Sequence, residues 1–262
     1  MKLSTLILPA LVLAVAACGR IEQRPISENQ CVLVKKIRGQ EKLAFPVYPY
    51  FPYGDKKVPN EMFMYDNISH DERYEDLYIA TIGTKKWAID GIGKKIFQEP
   101  LLGYEFLGWG ITKTVLQDEY EYYRFTTEKG VYFGILYHGW EVKGPYEDIF
   151  MLGSGSFLYK ENGKWGASGT SVKAEYDALF EVHEVTAARG RRIFLLGKKN
   201  SEWKAVDFFN CPVSLSRQRI KEYLQIKPNA SGYLEGRSIT NIRRQRIGND
   251  EVGYIDIQDV WG

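Results

Sequence analysis

The sequence is poor in histidine, the side chain used most often for acid–base catalysis and metal binding. Its three histidines are His70, His138 and His183, and no two of them have the His-x-x-x-His spacing that places two imidazoles on one helix face. We therefore expect no metal site built on histidine. We also expect no cofactor, because the sequence has no glycine-rich phosphate loop with a following Lys and Ser or Thr.

Two segments contain serine in a setting that resembles a nucleophile site. Ser69–Glu72 holds a serine, a histidine and two acids in consecutive positions. A catalytic triad assembles from distant parts of a fold, so these four residues predict a surface turn. Gly153–Ser156 lacks the Gly-x-Ser-x-Gly spacing of a nucleophile elbow, and we interpret it as a loop.

Carboxylates surround several tyrosines between positions 118 and 128. The acids are Asp118, Glu119, Glu121 and Glu128. Paired carboxylates held about 5–10 Å apart hydrolyse glycosidic bonds, so a hydrolase acting on glycan or lipid is one hypothesis. Alternation of acids with tyrosines is also typical of the solvent-facing side of a strand, and we favour that interpretation.

The amino terminus has the layout of a secretory signal. Lys2 precedes an uncharged, apolar run from Leu6 to Ala17 that ends in small residues. The run is shorter than the roughly 20 residues that span a bilayer, and Pro9 interrupts it. Residues 1–17 are therefore predicted to be removed as a signal peptide.

The segment Val15–Cys18 resembles the lipobox of bacterial lipoproteins, in which an aliphatic residue and two small ones precede an acylated cysteine. The resemblance implies cleavage before Cys18, a thioether-linked diacylglycerol on its sulfur and an acyl chain such as palmitate on the new amino terminus. Several acyl chains anchor a protein stably, whereas one chain binds only marginally. Gly19 stands where aspartate is the common inner-membrane retention signal in enterobacteria, which favours the outer membrane of a Gram-negative cell. The alternative is an ordinary secretory signal with Cys18 near the cut.

The residues after the lipobox predict a tether and a disulfide. Residues 18–30 are polar and contain Pro25, as expected of a linker between lipid and fold. If Cys18 carries lipid, Cys31 and Cys211 remain, and in an oxidising periplasm an even remainder favours a bridge between them. Two unpaired buried thiols are the alternative.

Charge and composition limit the possible partners. The 35 basic and 33 acidic residues nearly balance, so the strong field of a nucleic-acid-binding protein is absent. Aromatic residues make up 14% of the chain, with 18 Tyr against 4 Met, a composition suited to strands. One basic cluster is a candidate patch for phosphate or lipid headgroups, although a solvated face is favoured in a near-neutral chain. It comprises Arg237, Arg243, Arg244 and Arg246.

Two short motifs recur along the chain. The first has the form Tyr-acid-x-aliphatic and recurs at spacings of 30, 42 and 30 residues, which predicts stacked units. It begins at Tyr74, Tyr104, Tyr146 and Tyr176. The second places a large aromatic residue before small and aliphatic ones. Its aromatic residues are Trp87, Phe133, Trp165 and Trp203.

Together the two motifs resemble the WG repeat, a family of units in which Asn-Gly-Lys-Trp-Gly and an Ile-Asp pair precede Tyr-Asp-x-Ile. The best match is Asn162–Leu179, and the resemblance spans residues 74–210. It implies an array of β units and says little about function. Independently of the family, the pair Asn162 and Gly163 is a strong two-residue hairpin turn. Units of two or three short strands cannot cover their own apolar faces, so neighbouring units must do so.

The sequence therefore predicts a mainly β fold of stacked hairpin or meander repeats, either solenoid-like or partly closed. Residues 31–73 are predicted to form an N-terminal β segment before the repeats. Residues 211–262 are predicted to form an extension with closing strands and one short helix within Ser214–Lys227, where the apolar residues form a single stripe.

These features predict a non-enzymatic, lipid-anchored protein of the cell envelope that faces the periplasm. We expect it to contact the membrane through lipid on Cys18 and to bind another macromolecule, a protein, through the surface of its repeats. Nucleic acid is not an expected partner. A sharper alternative is an immunity protein that neutralises a toxin delivered to the periplasm, and the hydrolase remains the alternative from another class.

Overall fold

A computed structural model describes residues 21–26, 30–45, 58–70, 77–111, 119–152, 156–186, 190–206, 213–225, 232–234, 237–247 and 250–259. Within these residues the fold is mainly β, and its one α-helix lies near the carboxyl end. The predicted fold class is therefore confirmed.

The strands up to position 146 are short or of moderate length, and a 3₁₀ turn at Asn60–Met62 precedes the fourth of them. They are β1 (Glu22–Pro25), β2 (Cys31–Ile37), β3 (Gln40–Ala44), β4 (Asn67–His70), β5 (Tyr78–Ile82), β6 (Lys85–Ile89), β7 (Leu101–Ile111), β8 (Glu119–Thr127), β9 (Gly130–Leu136) and β10 (Trp140–Tyr146).

The remaining elements include the helix, α1 (Arg217–Gln225), which lies within the predicted range. The strands are β11 (Asp148–Met151), β12 (Phe157–Glu161), β13 (Lys164–Ala167), β14 (Ala178–Thr186), β15 (Gly190–Lys199), β16 (Glu202–Val206), β17 (Gly232–Leu234), β18 (Arg237–Ile247) and β19 (Asp250–Asp259).

Groups of three consecutive, hydrogen-bonded strands recur along the chain, and we call each group a meander. The five meanders are β1–β3, β4–β6, β7–β9, β11–β13 and β14–β16. The second and third meanders, with β10, form one sheet in the order β10-β9-β8-β7-β6-β5-β4. Because β4 pairs with β5, the second meander begins before the predicted boundary between residues 73 and 74.

Part of the predicted tether is a strand. Glu22–Pro25 forms β1 and pairs antiparallel with β2, with Pro25 opposite Cys31. All four residues of β1 are exposed, so no apolar alternation marked this strand in the sequence. Within the predicted tether of residues 18–30, Glu22–Pro25 therefore belongs to a sheet.

The described residues fall into two compact units. The first takes in those of Met1–Tyr104, Phe125–Lys129 and Gly134–Val142, and the second takes in the others. In the first unit, the apolar faces of the first two meanders share a core that includes Val34, Tyr78 and Trp87. This mutual cover is what strands too short to bury their own faces require.

The second unit contains a six-stranded sheet in the order β16-β15-β14-β19-β18-β17, in which β14 and β19 run parallel. One face of this sheet packs against α1, where Ile220 and Tyr223 join Phe180 and Phe194 in a buried cluster. Ser216 begins the helix: its hydroxyl oxygen accepts a 3.1 Å hydrogen bond from the N–H of Arg219, as an N-cap residue does. The other face packs on a core around Trp165.

Candidate functional site

The fourth and fifth meanders are equivalent residue by residue, and this equivalence locates the candidate site. Both have a two-residue turn between their second and third strands, with positive φ at Asn162 and Gly163 in one and at Asn200 and Ser201 in the other. On β13, Trp165 lies opposite Lys160. On β16, Trp203 lies opposite Lys198. Trp165 and Trp203 therefore hold the same place in their meanders.

An acid before the first strand of three meanders makes the same backbone contact. The N–H groups of Asp66, Glu147 and Asp177 donate to carbonyl oxygens of the second strand at 2.8, 2.9 and 2.7 Å. The carboxylates of Asp66 and Glu147 also accept from the N–H groups of the turn residues Gly83 and Gly163. Glu147 and Asp177 are acids of the Tyr-acid motif, so this acid fixes the start of a meander, and Glu147 also holds its turn.

The outer edge of the fourth meander is covered by the chain that leads into the fifth. Trp165 and Tyr176 exchange backbone hydrogen bonds of 2.8 and 3.2 Å. Next to them, Lys164 forms an ion pair with Asp177. A Cβ atom at Gly166 would lie 2.7 Å from both the backbone N of Ala174 and the Tyr159 ring, so glycine is required for this close approach.

The same edge of the fifth meander is open among the described residues. The carbonyl of Lys198 accepts from Asp177 and so points toward β14. In an antiparallel ladder, this orientation turns the N–H and C=O of the opposite residue, Trp203, outward from β16. No described residue forms a backbone hydrogen bond with that outward side, and β16 ends the sheet.

A cleft of about 750 Å³ lies beside β16, on the sheet face that carries Gly197 and Lys204. Its floor is formed by apolar groups of β15, β16 and neighbouring segments, and its rim is polar. The lining residues that matter are Tyr176, Gly197 and Val206 on the floor and Ser171, Lys199 and Glu202 on the rim. The Tyr176 ring crosses β15 so closely that a Cβ atom at Gly197 would lie 2.5 Å from it.

The position of the cleft follows from the repeat. In the fourth meander, the backbone of Lys173 and Ala174 lies against Gly166. The equivalent position in the fifth meander is Lys204, and the cleft occupies the space above it. The cleft thus corresponds to the space that the connecting segment fills in the fourth meander.

The charges at the rim are paired and exposed. Lys199 Nζ lies 2.9 Å from a Glu175 oxygen, and Lys204 Nζ lies 3.0 Å from a Glu202 oxygen. The hydrogen bond with Lys199 lowers the pKa of Glu175, and the same contact raises the pKa of Lys199. Exposed pairs of this kind contribute little to stability and exchange partners at low cost.

No model of a known protein family, curated protein or solved structure matches the chain. The inference of function therefore depends on the cleft and on the chemistry of the residues around it.

A buried polar cluster lies between β14 and α1. The Tyr223 hydroxyl donates to the Glu184 carboxylate, and Arg219 Nε donates to the Tyr223 oxygen at 3.2 Å. Arg219 also pairs with Glu222 at 3.1 Å and lies 3.7 Å from Glu184. Burial and then the contact with Glu184 raise the pKa of Tyr223, so the phenol stays protonated at neutral pH. Each group has a partner, so the cluster fastens the helix to the sheet.

The sequence did not indicate a second buried pair on the opposite face of β14. His183 Nε2 lies 2.5 Å from a Glu181 oxygen, and both side chains are at least nine-tenths buried. Two residues apart on one strand, they share a face by the period-two rule, which was the signal available in the sequence. His70 and His138 lie elsewhere, on β4 and in the turn before β10. In the described parts, no three His, Cys, Asp or Glu side chains are grouped to hold a metal ion.

The carboxylates that suggested a hydrolase were expected to lie on the solvent-facing side of a strand, and at least one of them does not. Glu121 is buried on β8 and accepts a hydrogen bond from the Tyr123 hydroxyl, so the solvent-facing interpretation was wrong for this residue. Glu128 is exposed in the turn after β8. Asp118 and the side chain of Glu119 lie outside the described residues.

The residues of the predicted repeats occupy mixed positions. Trp87, Phe133 and Trp165 are buried, and Trp203 is half-buried. Trp87 lies one residue further from its turn than Trp165 does, so the two rings are on opposite faces of equivalent meanders. Tyr146 and Tyr176 precede the first strands of their meanders, whereas Tyr104 lies inside β7 and Tyr74 is outside the described residues. Tyr65–Ile68 has the same form and starts the second meander, which the sequence analysis missed.

Several predicted sites lie wholly or partly outside the described residues. Cys18 and Cys211 are among them, so lipid attachment and the disulfide stay predictions. Cys31 is half-buried on β2, with its Sγ 4.0 Å from a Gln23 oxygen. The candidate basic patch lies on β18, where the backbone is described and the side chains are not: Arg237, Arg243, Arg244 and Arg246. None of the described helical segments has the length and apolar character that a membrane span requires.

Proposed function

We propose that this chain is a non-enzymatic, lipid-anchored protein of the cell envelope that binds a partner protein at the cleft beside β16. The observation that carries the proposal is the edge of the fifth meander, which is open among the described residues and borders the cleft. Its volume of about 750 Å³ lies within the range of roughly 300–1,000 Å³ that is typical of ligand-binding sites.

The composition of the cleft favours a protein over a small molecule. Protein interfaces have an apolar centre and a polar rim, and the cleft has this arrangement, with Tyr176 and Val206 below and charged pairs around them. Tyrosine is among the residues that contribute most to binding energy in such centres. The adjacent sheet edge adds main-chain donors and acceptors that a polypeptide can satisfy.

A second aromatic surface in the same unit supports protein binding independently. Trp109 is 57% exposed on β7, and its ring meets that of Phe106 edge-on with centroids 5.1 Å apart. Phe106 in turn packs edge-on against Tyr123, which is fully buried. An exposed tryptophan held by a half-buried ring, itself packed on a buried one, loses little conformational entropy on binding, which is typical of residues that dominate interfaces.

The anchor is the second part of the proposal. The lipobox-like segment ending at Cys18 supports attachment to a membrane by acyl chains, and the sequence after it supports the outer membrane of a Gram-negative cell. Such an anchor would hold the repeats at the periplasmic surface, where a protein partner meets them at high local concentration.

Site-specific photocrosslinking in the native bacterium tests the proposal. A photoreactive residue in place of Ser171, at the rim of the cleft, should give one discrete crosslinked product containing a second protein. The matched control is the same residue in place of Ile92, which is 61% exposed in the other unit and should give no such product. Equal or absent crosslinking at both positions would contradict the proposal.

A further inference from the structure

We infer that the partner binds by adding an extended strand to the edge of β16, and that this strand carries an aromatic residue followed by a basic one. The inference rests on the proposed function and specifies the chemistry of the partner. It follows from comparing the edge of β16 with the covered edge of β13, which shows what a bound segment looks like.

The backbone part of the inference comes from the covered edge. There, Tyr176 exchanges two backbone hydrogen bonds with Trp165. Trp203 is the equivalent of Trp165, and its N–H and C=O point away from β15. An extended segment would satisfy both groups, as peptides do when they add to sheet edges in other proteins. The Trp203 ring packs with α1 on a face of the sheet, so its main-chain groups and not its ring lie at the edge.

The charge part comes from the residue beside the tryptophan. In the fourth meander Lys164 pairs with Asp177, the residue after the bound tyrosine. In the fifth meander the equivalent of Lys164 is Glu202, so the sign at this position is reversed. A basic residue in the partner would therefore replace Asp177.

The present partners of Glu202 do not prevent this exchange. Lys204 lies 3.0 Å away with 69% of its side chain exposed, and Arg217 lies 3.7 Å away with 92% exposed. Both are exposed, solvated cations that a bound residue can displace at little cost. Lys204 is the equivalent of Gly166, the residue that permits close backbone approach in the fourth meander. The Lys204 side chain must therefore move aside when the segment binds.

The chain supplies its own probe for the test. A synthetic peptide with the sequence of residues 171–180 is the segment that covers the fourth meander, and an Asp177→Lys version of this peptide carries the aromatic-basic pair. The full-length protein in detergent is labelled with ¹⁵N only at its six tryptophans. A Trp203→Phe sample assigns the Trp203 amide, and the Trp165 amide serves as the internal control.

The lysine peptide should shift the Trp203 amide and leave the Trp165 amide in place, with an affinity about fivefold higher than that of the aspartate peptide, as expected for one exposed ion pair. Glu202→Lys in the protein should reverse the preference between the two peptides. Lys204→Gly should strengthen binding of both. Before peptide is added, the Trp203 amide should exchange with deuterium faster than the Trp165 amide.

Three results would overturn the inference. They are protection of the Trp203 amide in the protein alone, no shift of that amide with either peptide, and a preference that Glu202→Lys does not change. If these occur while the Ser171 crosslink to a partner persists, the binding mode is wrong and the proposed function stands. If the crosslink is also absent, both fail.

Discussion

Trp165 and Tyr176 bind each other through two backbone hydrogen bonds, N–H of Trp165 to C=O of Tyr176 at 2.8 Å and N–H of Tyr176 to C=O of Trp165 at 3.2 Å. This pair joins the last strand of one meander to the start of the next. The Trp165 ring is fully buried in a core that also contains Leu158, Leu179 and Leu195. The two motifs found in the sequence are therefore the two sides of one junction.

Trp165→Ala should lower the free energy of unfolding of the second unit by about 3–5 kcal/mol, because it leaves a large cavity at this junction. Urea unfolding followed by circular dichroism measures the change. Trp109→Ala is the matched control, since this tryptophan is largely exposed, and it should change the free energy by no more than about 0.5 kcal/mol. Equal losses in the two variants would contradict the central place of Trp165.

Gly166→Ala should destabilise the protein by about 1–3 kcal/mol, since the added methyl group would collide with the backbone of Ala174 and with the Tyr159 ring. The same unfolding measurement applies. Gly103→Ala is the control, because a Cβ atom there meets nothing within 4 Å. A neutral Gly166→Ala would show that the covering segment is not held close to β13.

The sequence predicted the β class, the helix and the hairpin turn at Asn162 because these depend on local chemistry. Asn162 and Gly163 accept positive φ, and the apolar stripe that contains Ile220 and Tyr223 has the period of a helix. It did not predict that Trp87 and Trp165 face opposite ways, because one extra residue after a turn reverses a side chain and the motif alone does not count residues from the turn.

The candidate cleft could not be predicted from the sequence, because it depends on how the edge of β16 differs from the covered edge of β13. Two differences between equivalent positions mark the cleft: the fifth meander has Glu202 where the fourth has Lys164, and Lys204 where the fourth has Gly166. These differences become informative only once the registers of β13 and β16 are aligned. The buried role of Glu121 was missed for a related reason: its partner Tyr123 shares its strand face, and a buried and a solvated face give the same alternating pattern.

Cys18→Ser should abolish lipid attachment, so that the exported protein fractionates as a soluble periplasmic protein. Mass spectrometry of the wild-type protein should find diacylglycerol and acyl mass on the peptide that begins at Cys18. Cys31→Ser is the control and should remain in the membrane fraction. An unmodified thiol at position 18 of the wild-type protein would remove the anchor from the proposal.

Cys31 and Cys211 should both resist alkylation in the unfolded, unreduced protein if they are bonded to each other. Cys211→Ser should then expose one reactive thiol, which maps to Cys31. Reduction of the wild-type protein should lower its stability by up to about 5 kcal/mol, because the bridge closes a long loop in the unfolded chain. Two reactive thiols in the wild-type protein before reduction would rule the bridge out.

Tyr223 should make the stability of the second unit fall at alkaline pH. Burial and the contact with Glu184 raise its pKa in the folded state, so the unfolded chain loses this proton first as the pH rises through about 10. The stabilisation is complete below that pH and declines above it, by up to about 1.4 kcal/mol per pH unit, because the unfolded state then binds fewer protons than the folded one.

Tyr223→Phe should therefore reduce the slope of unfolding free energy against pH between about pH 10 and 11. The slope is the quantity to compare, because the variant also removes a hydrogen bond from the buried Glu184 and lowers stability at every pH. Tyr120→Phe, which removes a half-buried phenol outside this cluster, is the matched control. If both variants change the slope equally, the phenol of Tyr223 is not held protonated by its burial against Glu184.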